Sequence, residues 1–267
     1  YYFKYIAFIG TVEVVIHRSF WTCVILLLST LIFRKWNSLL LILKDKLKIL
    51  ILFLTSILIF LNWAIWIYAV ENNQIIDASF GYFIFPILSV LLGFIFLKEK
   101  LNNKRFLSIL LVFISTIYLF FNLNTFPWTG FAVAIIWSSY NLLRKIINVE
   151  TDIGLLIESL FALPLVILLF YLIMKSNQND FSISNPSLML LIIFAGPMTV
   201  IPLFLYIKGV ELSGLGPSGM TFFIAPTGQF LLGFFYFYET FSFEKFLSFI
   251  LIWIAVSIYL RDLYEKN

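Results

Sequence analysis

Apolar residues along this chain come in long runs, and polar residues collect in the short joins between them. The runs fall near 11–33, 49–70, 75–97, 106–122, 127–143, 153–174, 187–207, 215–238 and 244–260. An α-helix needs about 20 apolar residues to cross a hydrocarbon layer, and these runs match that length. Asn, Gly and Pro mark the joins at Asn122–Pro127, Asn177–Pro186 and Gly214–Pro217. A stump at 1–9 is too short to span and reads as the end of a further helix that begins before Tyr1. The pattern therefore predicts about ten spans.

Composition removes the soluble alternative. Hydrophobic residues make up 62% of the 267 and charged residues 12%, about half the charged share of a globular protein. The 32 Phe, 13 Tyr and 7 Trp suit lipid contact and interfacial anchoring, and one cysteine, Cys23, permits no internal disulfide. The net charge of +4 forms no basic stripe, which argues against nucleic acid. With loops alternating sides, one side receives 14 of the 18 Lys and Arg, among them Arg34, Lys35, Lys98, Arg105, Arg144, Lys208 and Arg261. The other receives only Lys175 and Lys245, while Lys4 and Arg18 lie within helices. Cytoplasmic loops carry such an excess, so the C-terminus is expected inside.

The chain also repeats itself. Residues 69–110 align without a gap to 209–250, with 13 identities that include Glu71/Glu211, Pro86/Pro226, Gly93/Gly233 and Glu99/Glu239. The offset divides the chain into 1–124 and 125–267, and it places the helix near 127–143 opposite residues before Tyr1. Five helices per unit, an odd number, turns the second copy over in the bilayer. The expected fold is thus an all-α membrane bundle of ten helices in two inverted five-helix repeats, with the first helix mostly missing. Inverted repeats build many secondary transporters, which hold their solute near the midplane.

Several stretches then resemble a known family: Glu-Val-Val-Ile-His-Arg-Ser-Phe-Trp at 13–21, Asn-Trp followed by Ala-Ser-Phe-Gly-Tyr-Phe-Ile-Phe-Pro and Leu-Lys-Glu-Lys-Leu within 62–101, Leu-Leu-Arg-Lys at 142–145, and Phe-Ile-Ala-Pro-Thr-Gly-Gln-Phe-Leu-Leu at 223–232. They resemble the drug/metabolite transporter superfamily, in its EamA-domain group and nearest its RarD-type branch. The resemblance implies ten helices in two inverted sets of five and the movement of small metabolites. Two positions depart from the branch. It usually has Asn where this chain has Phe85, and often Gln where this chain has Phe222. A cavity lined by these positions would have lost two amide groups and would suit a less polar or stacking solute; on a lipid face the change means little.

Ionisable residues inside apolar helices need a partner, a wet cavity or the interface. Arg18 lies roughly 10 Å into its helix at 1.5 Å per residue, suited either to a carboxylate or phosphate or to snorkelling. Glu13 and His17 share a helix face, as a structural hydrogen bond or a proton-linked pair. Glu158, with small neighbours Ser159 and Ala162, reads as a packed or cavity residue, and Lys4 as an interfacial anchor. Pro86 and Pro226 each free a carbonyl one turn earlier, which either lines a cavity or shapes packing. Trp63, Trp66, Tyr82, Phe83, Trp137, Tyr140, Tyr206, Phe223 and Gln229 complete the candidate substrate-binding set.

Gly214-Leu-Gly216-Pro-Ser-Gly219 fits G-x-G-x-x-G, but it follows an apolar helix rather than a strand and reads as a turn. One His and one Cys, with no H-E-x-x-H or G-x-S-x-G, leave no metal, cofactor or nucleophilic triad to expect. The expected function is secondary transport of a small-molecule solute across an inner membrane, with room for proton or ion coupling and for a homodimer. An intramembrane enzyme and a channel-like or structural subunit are the alternatives.

Overall fold

The computed structural model describes residues 2, 6, 8–72, 74–123, 125–176, 180–181, 185–236 and 243–265, without the side chains of 71, 229, 233, 234 and 243–245. Lys4 and Glu239 lie outside the described residues, as does the side chain of Gln229. Among the described residues there are eleven helices and no strand. They are α1 (Thr11–Ile32), α2 (Trp36–Lys44), α3 (Lys46–Glu71), α4 (Ile75–Leu97), α5 (Asn103–Phe121), α6 (Trp128–Ile147), α7 (Thr151–Lys175), α8 (Pro186–Ser213), α9 (Leu215–Thr221), α10 (Ile224–Phe235) and α11 (Phe243–Tyr264). Helices close their own backbone hydrogen bonds, which hydrocarbon demands.

Among the described residues, seven helices are long and apolar enough to cross a membrane: α1, α3, α4, α5, α7, α8 and the 246–264 part of α11. Phe121, Leu212 and Ile224 are 80%, 74% and 73% exposed, and a soluble surface would not present so many large apolar groups. The protein is a multi-pass membrane protein. The run near 127–143 became α6, which is not among the seven; Ser138, Ser139, Asn141, Arg144 and Lys145 make it more polar.

Two elements differ from the sequence expectation. Residues 36–44, read as loop, form α2, a nine-residue helix that buries Leu39 and Ile42 and is too short to span. The run at 215–238 is interrupted between α9 and α10. Pro226 has no N–H to offer the Phe222 carbonyl, which takes the Ala225 N–H instead (3.0 Å), while Phe223 N–H reaches Met220 O (3.4 Å). These one-residue-shorter bonds tighten the turn to a 3₁₀ form. The Thr221 hydroxyl also donates to the carbonyls of Pro217 and Ser218. Gly81, the repeat equivalent of Thr221, has no hydroxyl, and α4 runs unbroken through Pro86.

The helices form two compact units, the first of residues 1–63 and 146–208, the second of 64–145 and 209–267. Each draws on both sides of residue 124. In the first, α1 packs along α7 over a core that includes Leu26, Leu52, Ile153 and Leu156. A side chain at Gly196 would collide with Trp21, so α8 meets α1 there at near-backbone distance. Lys35 Nζ donates to Asp152 (2.6 Å) and Glu150 (2.9 Å), pinning the end of α1 to the start of α7. Burial lowers the Lys35 pKa, but the bonds to Asp152 and Glu150 outweigh it and hold the ammonium above the ordinary lysine value. In the second unit α5 packs on α11 and α4 on α9, around Val112, Met220, Ile252 and Tyr259. Asp262, 2% exposed, accepts from Arg105 Nε (2.8 Å) and Asn102 Nδ2 (2.6 Å), closing the α5–α11 pair at one end.

Candidate functional site

The polar residues of α1 face the interior of the first unit. Glu13 is 1% exposed, and its carboxylate accepts the backbone N–H of Asp180 (2.8 and 3.0 Å) and of Phe181 (2.9 Å). His17 Nε2 stands 3.8 Å from Glu13 Oε1, too far for a hydrogen bond. The expected Glu13–His17 bond is therefore replaced by a clamp on the segment that precedes α8. The His17 ring lies between Phe170 and Phe181, with centroids 5.6 and 4.6 Å away. One residue on, the Arg18 guanidinium sits over the Trp63 ring of α3, 4.8 Å from its centroid. Stacking of this kind fixes the plane of the guanidinium fork. Deeper in the unit, Glu158 is 3% exposed and accepts from Thr55 Oγ1 (2.7 Å), while Ser56 Oγ donates to its backbone carbonyl (2.9 Å).

The paired prolines belong to the second unit, where α4 and α9 cross at close range. A Cβ at Gly219 would stand 2.6 Å from Ser89 Cβ and 3.5 Å from Pro86 Cα. Aromatic rings continue from this crossing. Trp66 stacks on Tyr82 (5.5 Å), Tyr82 contacts Phe222 (5.5 Å), and Phe83 contacts Phe223 (6.3 Å). Trp137 and Tyr140 stack on each other at 5.1 Å, and Tyr140 is fully buried. The two positions that depart from the branch pattern touch: Phe85 meets Phe222 edge-to-face at 4.8 Å.

The glycine motif at 214–219 also has its explanation here. The Glu99 carboxylate accepts Leu215 N–H (2.7 Å) and Gly216 N–H (2.9 Å) at the start of α9. Gly214 has φ of 94°, a conformation that favours glycine. Gly216 makes room for Tyr259 Oη and Glu99, and Gly219 for Ser89. Gly214 and Gly216 thus cradle the protein's own carboxylate rather than a phosphate.

The structure thus gathers Arg18 with Trp63 in one unit, and Trp66, Tyr82, Phe83, Pro86 and Phe223 around the crossing in the other, while Pro226 lies in α10. Tyr206 is half-buried on α8. Arg144, counted among loop cations, is 4% exposed in the last turn of α6. Sequence reasoning did not single out Trp21, Thr22 and Asn62, whose polar atoms Nε1, Oγ1 and Nδ2 are buried and have no hydrogen-bond partner among the described residues. Among those residues no group of three His, Cys, Asp or Glu could hold a metal ion.

A family model described as the EamA-like transporter family matches residues 2–121. Over 261 residues the chain is 31% identical to Protein RarD of Salmonella typhi, an alignment covering 98% of this chain and 89% of that protein. It is 33% identical over 261 residues to the uncharacterized transporter YojE of Bacillus subtilis (strain 168), covering 97% and 87%. A protein crystal structure only 13% identical superposes with a TM-score of 0.72 over 97% of this chain and 89% of that one, which is a likeness of fold alone. The RarD alignments run through both units, and the chain belongs to the EamA-like transporter family, in its RarD-type branch.

Proposed function

We propose that this protein is a secondary transporter that carries small organic solutes across the inner membrane by alternating access. Its halves, 1–124 and 125–267, form two inverted five-helix repeats of a ten-helix bundle, with the C-terminus in the cytoplasm. The observation that carries this reading is the gapless repeat of 69–110 at 209–250, with Pro86 and Pro226 at equivalent places. Relatives named as transporters support it, and so does the family match. The proline helices border the solute path, with Arg18, His17 and Glu158 as its polar groups and Trp63, Trp66, Tyr82, Phe83, Tyr140, Tyr206, Phe223 and Gln229 along it. A solute, proton or ion gradient drives the cycle.

Counterflow in proteoliposomes with amino acids, amines, nucleosides, carboxylates and aromatic drugs tests the reading. Saturable exchange of one class is the expected result, and leakage without saturation or no exchange across the panel would sink it. Arg18→Ala and Glu158→Gln should each lower affinity or rate for that class. If both variants match the parent protein, neither residue belongs to the path.

A further inference from the structure

His17 is the chain's only histidine, and its Nε2 is buried with no hydrogen-bond partner among the described residues. Buried polar atoms are normally satisfied, so a ring nitrogen left dry costs stability. Glu13 Oε1, one turn back on α1, stands 3.8 Å away, beyond hydrogen-bond reach. Both residues are enclosed, His17 at 5% and Glu13 at 1% exposure. A neutral imidazole carries one N–H and a protonated one carries two. A proton on this ring therefore guarantees a donor at Nε2, with a carboxylate on the same helix face to receive it.

Glu13 and His17 also hold the same piece of chain. Glu13 Oε1 accepts the amides of Asp180 (3.0 Å) and Phe181 (2.9 Å), and the Phe181 ring lies 4.6 Å from the imidazole, centroid to centroid. An imidazolium drawn in to a charge-assisted distance of about 2.8 Å competes with those amides for Oε1. Its bond is local, within one turn of α1, whereas the amides belong to the segment that leads into α8. Protonation thus moves the bonding of the carboxylate from that segment to its own helix.

Few other ionisable groups stand on the elements packed about the pair. Among the described residues, α1 adds Arg18, which lies over Trp63. The clamped segment adds Asp180, and the end of α7 adds Tyr171 and Lys175, all three exposed. The Tyr2 hydroxyl donates to Leu191 O. Glu158 lies about three turns along α7 from Phe170. Residues 49–63 of α3 and 186–205 of α8 include no ionisable side chain.

We propose that His17 is a proton-binding site with Glu13 as its counter-ion, and that its protonation frees the segment at 180–181 from α1. This rests on the transport reading where it makes the proton the coupling ion of the cycle.

Because the chain has one histidine, ¹⁵N-imidazole NMR of the full-length protein in detergent reads this site alone. The ring should take up a proton while the protein stays folded. Glu13→Gln should weaken proton binding about tenfold or more, the effect of losing an opposite charge at this range. Hydrogen exchange of the 180–181 amides, corrected for its intrinsic pH dependence, should speed up as the ring is protonated. That response should vanish in His17→Asn, which keeps the Glu13 clamp and decides the matter even if Glu13→Gln fails to fold. A ring that stays neutral until the fold is lost overturns the proposal. So does proton affinity indifferent to the Glu13 charge, or amide exchange at 180–181 indifferent to the ring's protonation. Vesicles that trap a pH-sensitive dye test the coupling, with the amino acids, amines, nucleosides, carboxylates and aromatic drugs of the counterflow panel. Solute entry should move the internal pH beyond that of protein-free vesicles, and should not in His17→Asn. Exchange without such a pH change overturns the proton as coupling ion and leaves solute transport standing. A working proton site with no exchange across the panel sinks the transport reading and leaves the site.

Discussion

Phe85 and Phe222 occupy the two positions where the branch favours amides, and here their rings meet edge-to-face at 68°. Phe85 is 1% exposed and Phe222 half-buried. An isolated amide at 85 would be buried against a phenyl ring, and leaving its polar atoms unpaired costs about 1–3 kcal/mol. An amide at 222 would give it a partner. Phe85→Asn should therefore lower the melting temperature sharply and Phe222→Gln less. Phe85→Asn with Phe222→Gln should recover part of the sum. A double-mutant cycle on thermal stability in detergent measures this coupling, and strictly additive losses would refute it. The sequence showed both departures but not their contact, because nothing within α4 or α9 brings the two positions together. Arg18 was legible for a different reason: a charge inside an apolar run is visible without a fold. Thr22 and Asn62 were not, since an ordinary Thr or Asn in a helix satisfies itself locally, and only the three-dimensional hydrogen-bond pattern shows that Thr22 Oγ1 and Asn62 Nδ2 do not.

Among the elements, the start of α9 depends on a carboxylate and three glycines. Glu99, just past the end of α4, stands against Gly93 of that helix, where a Cβ would come within 2.6 Å of Oε2, and it caps Leu215 and Gly216 across the crossing. Two of the identities shared by the repeats, at 93 and 99, are thus parts of one device in the first copy. Gly216→Ala would place a methyl 2.5 Å from Tyr259 Oη and 3.0 Å from Glu99 Oε2, and the backbone on which it sits is held by the cap. Gly228 has nothing within 4 Å of an added Cβ. Gly216→Ala should lower the melting temperature, whereas Gly228→Ala in α10 should leave it unchanged or raise it, since alanine gains about 0.5–1 kcal/mol over glycine inside a helix. Equal shifts for both would remove the steric account of the cap. Periodicity located the apolar run around α9 and α10, but not its interruption. The proline alone does not decide it, as α4 shows by remaining continuous through Pro86.

For the whole molecule, charge bias and duplication make a joint prediction about sidedness. The repeat offset makes α5 and α11 equivalent, so an inverted second copy must send their C-terminal ends to opposite faces. Asn122 ends α5 on the side poor in Lys and Arg, and Arg261 lies in the last turn of α11 on the rich side. Both are exposed. Cys23, the chain's single cysteine, is 2% exposed, so replacing it by serine gives a clean background for labelling. In that background a membrane-impermeant maleimide should label Asn122→Cys in intact cells, and Arg261→Cys only after the membrane is opened. The charge bias rests on the loops and the inversion on the odd number of helices per copy, so the two arguments can fail separately. Labelling with the sides exchanged would overturn the orientation and keep the inversion. Labelling of both positions from one side would mean an even number of crossings between them. The two proline helices would then run the same way across the bilayer, and alternating access would have to rest on a parallel repeat instead.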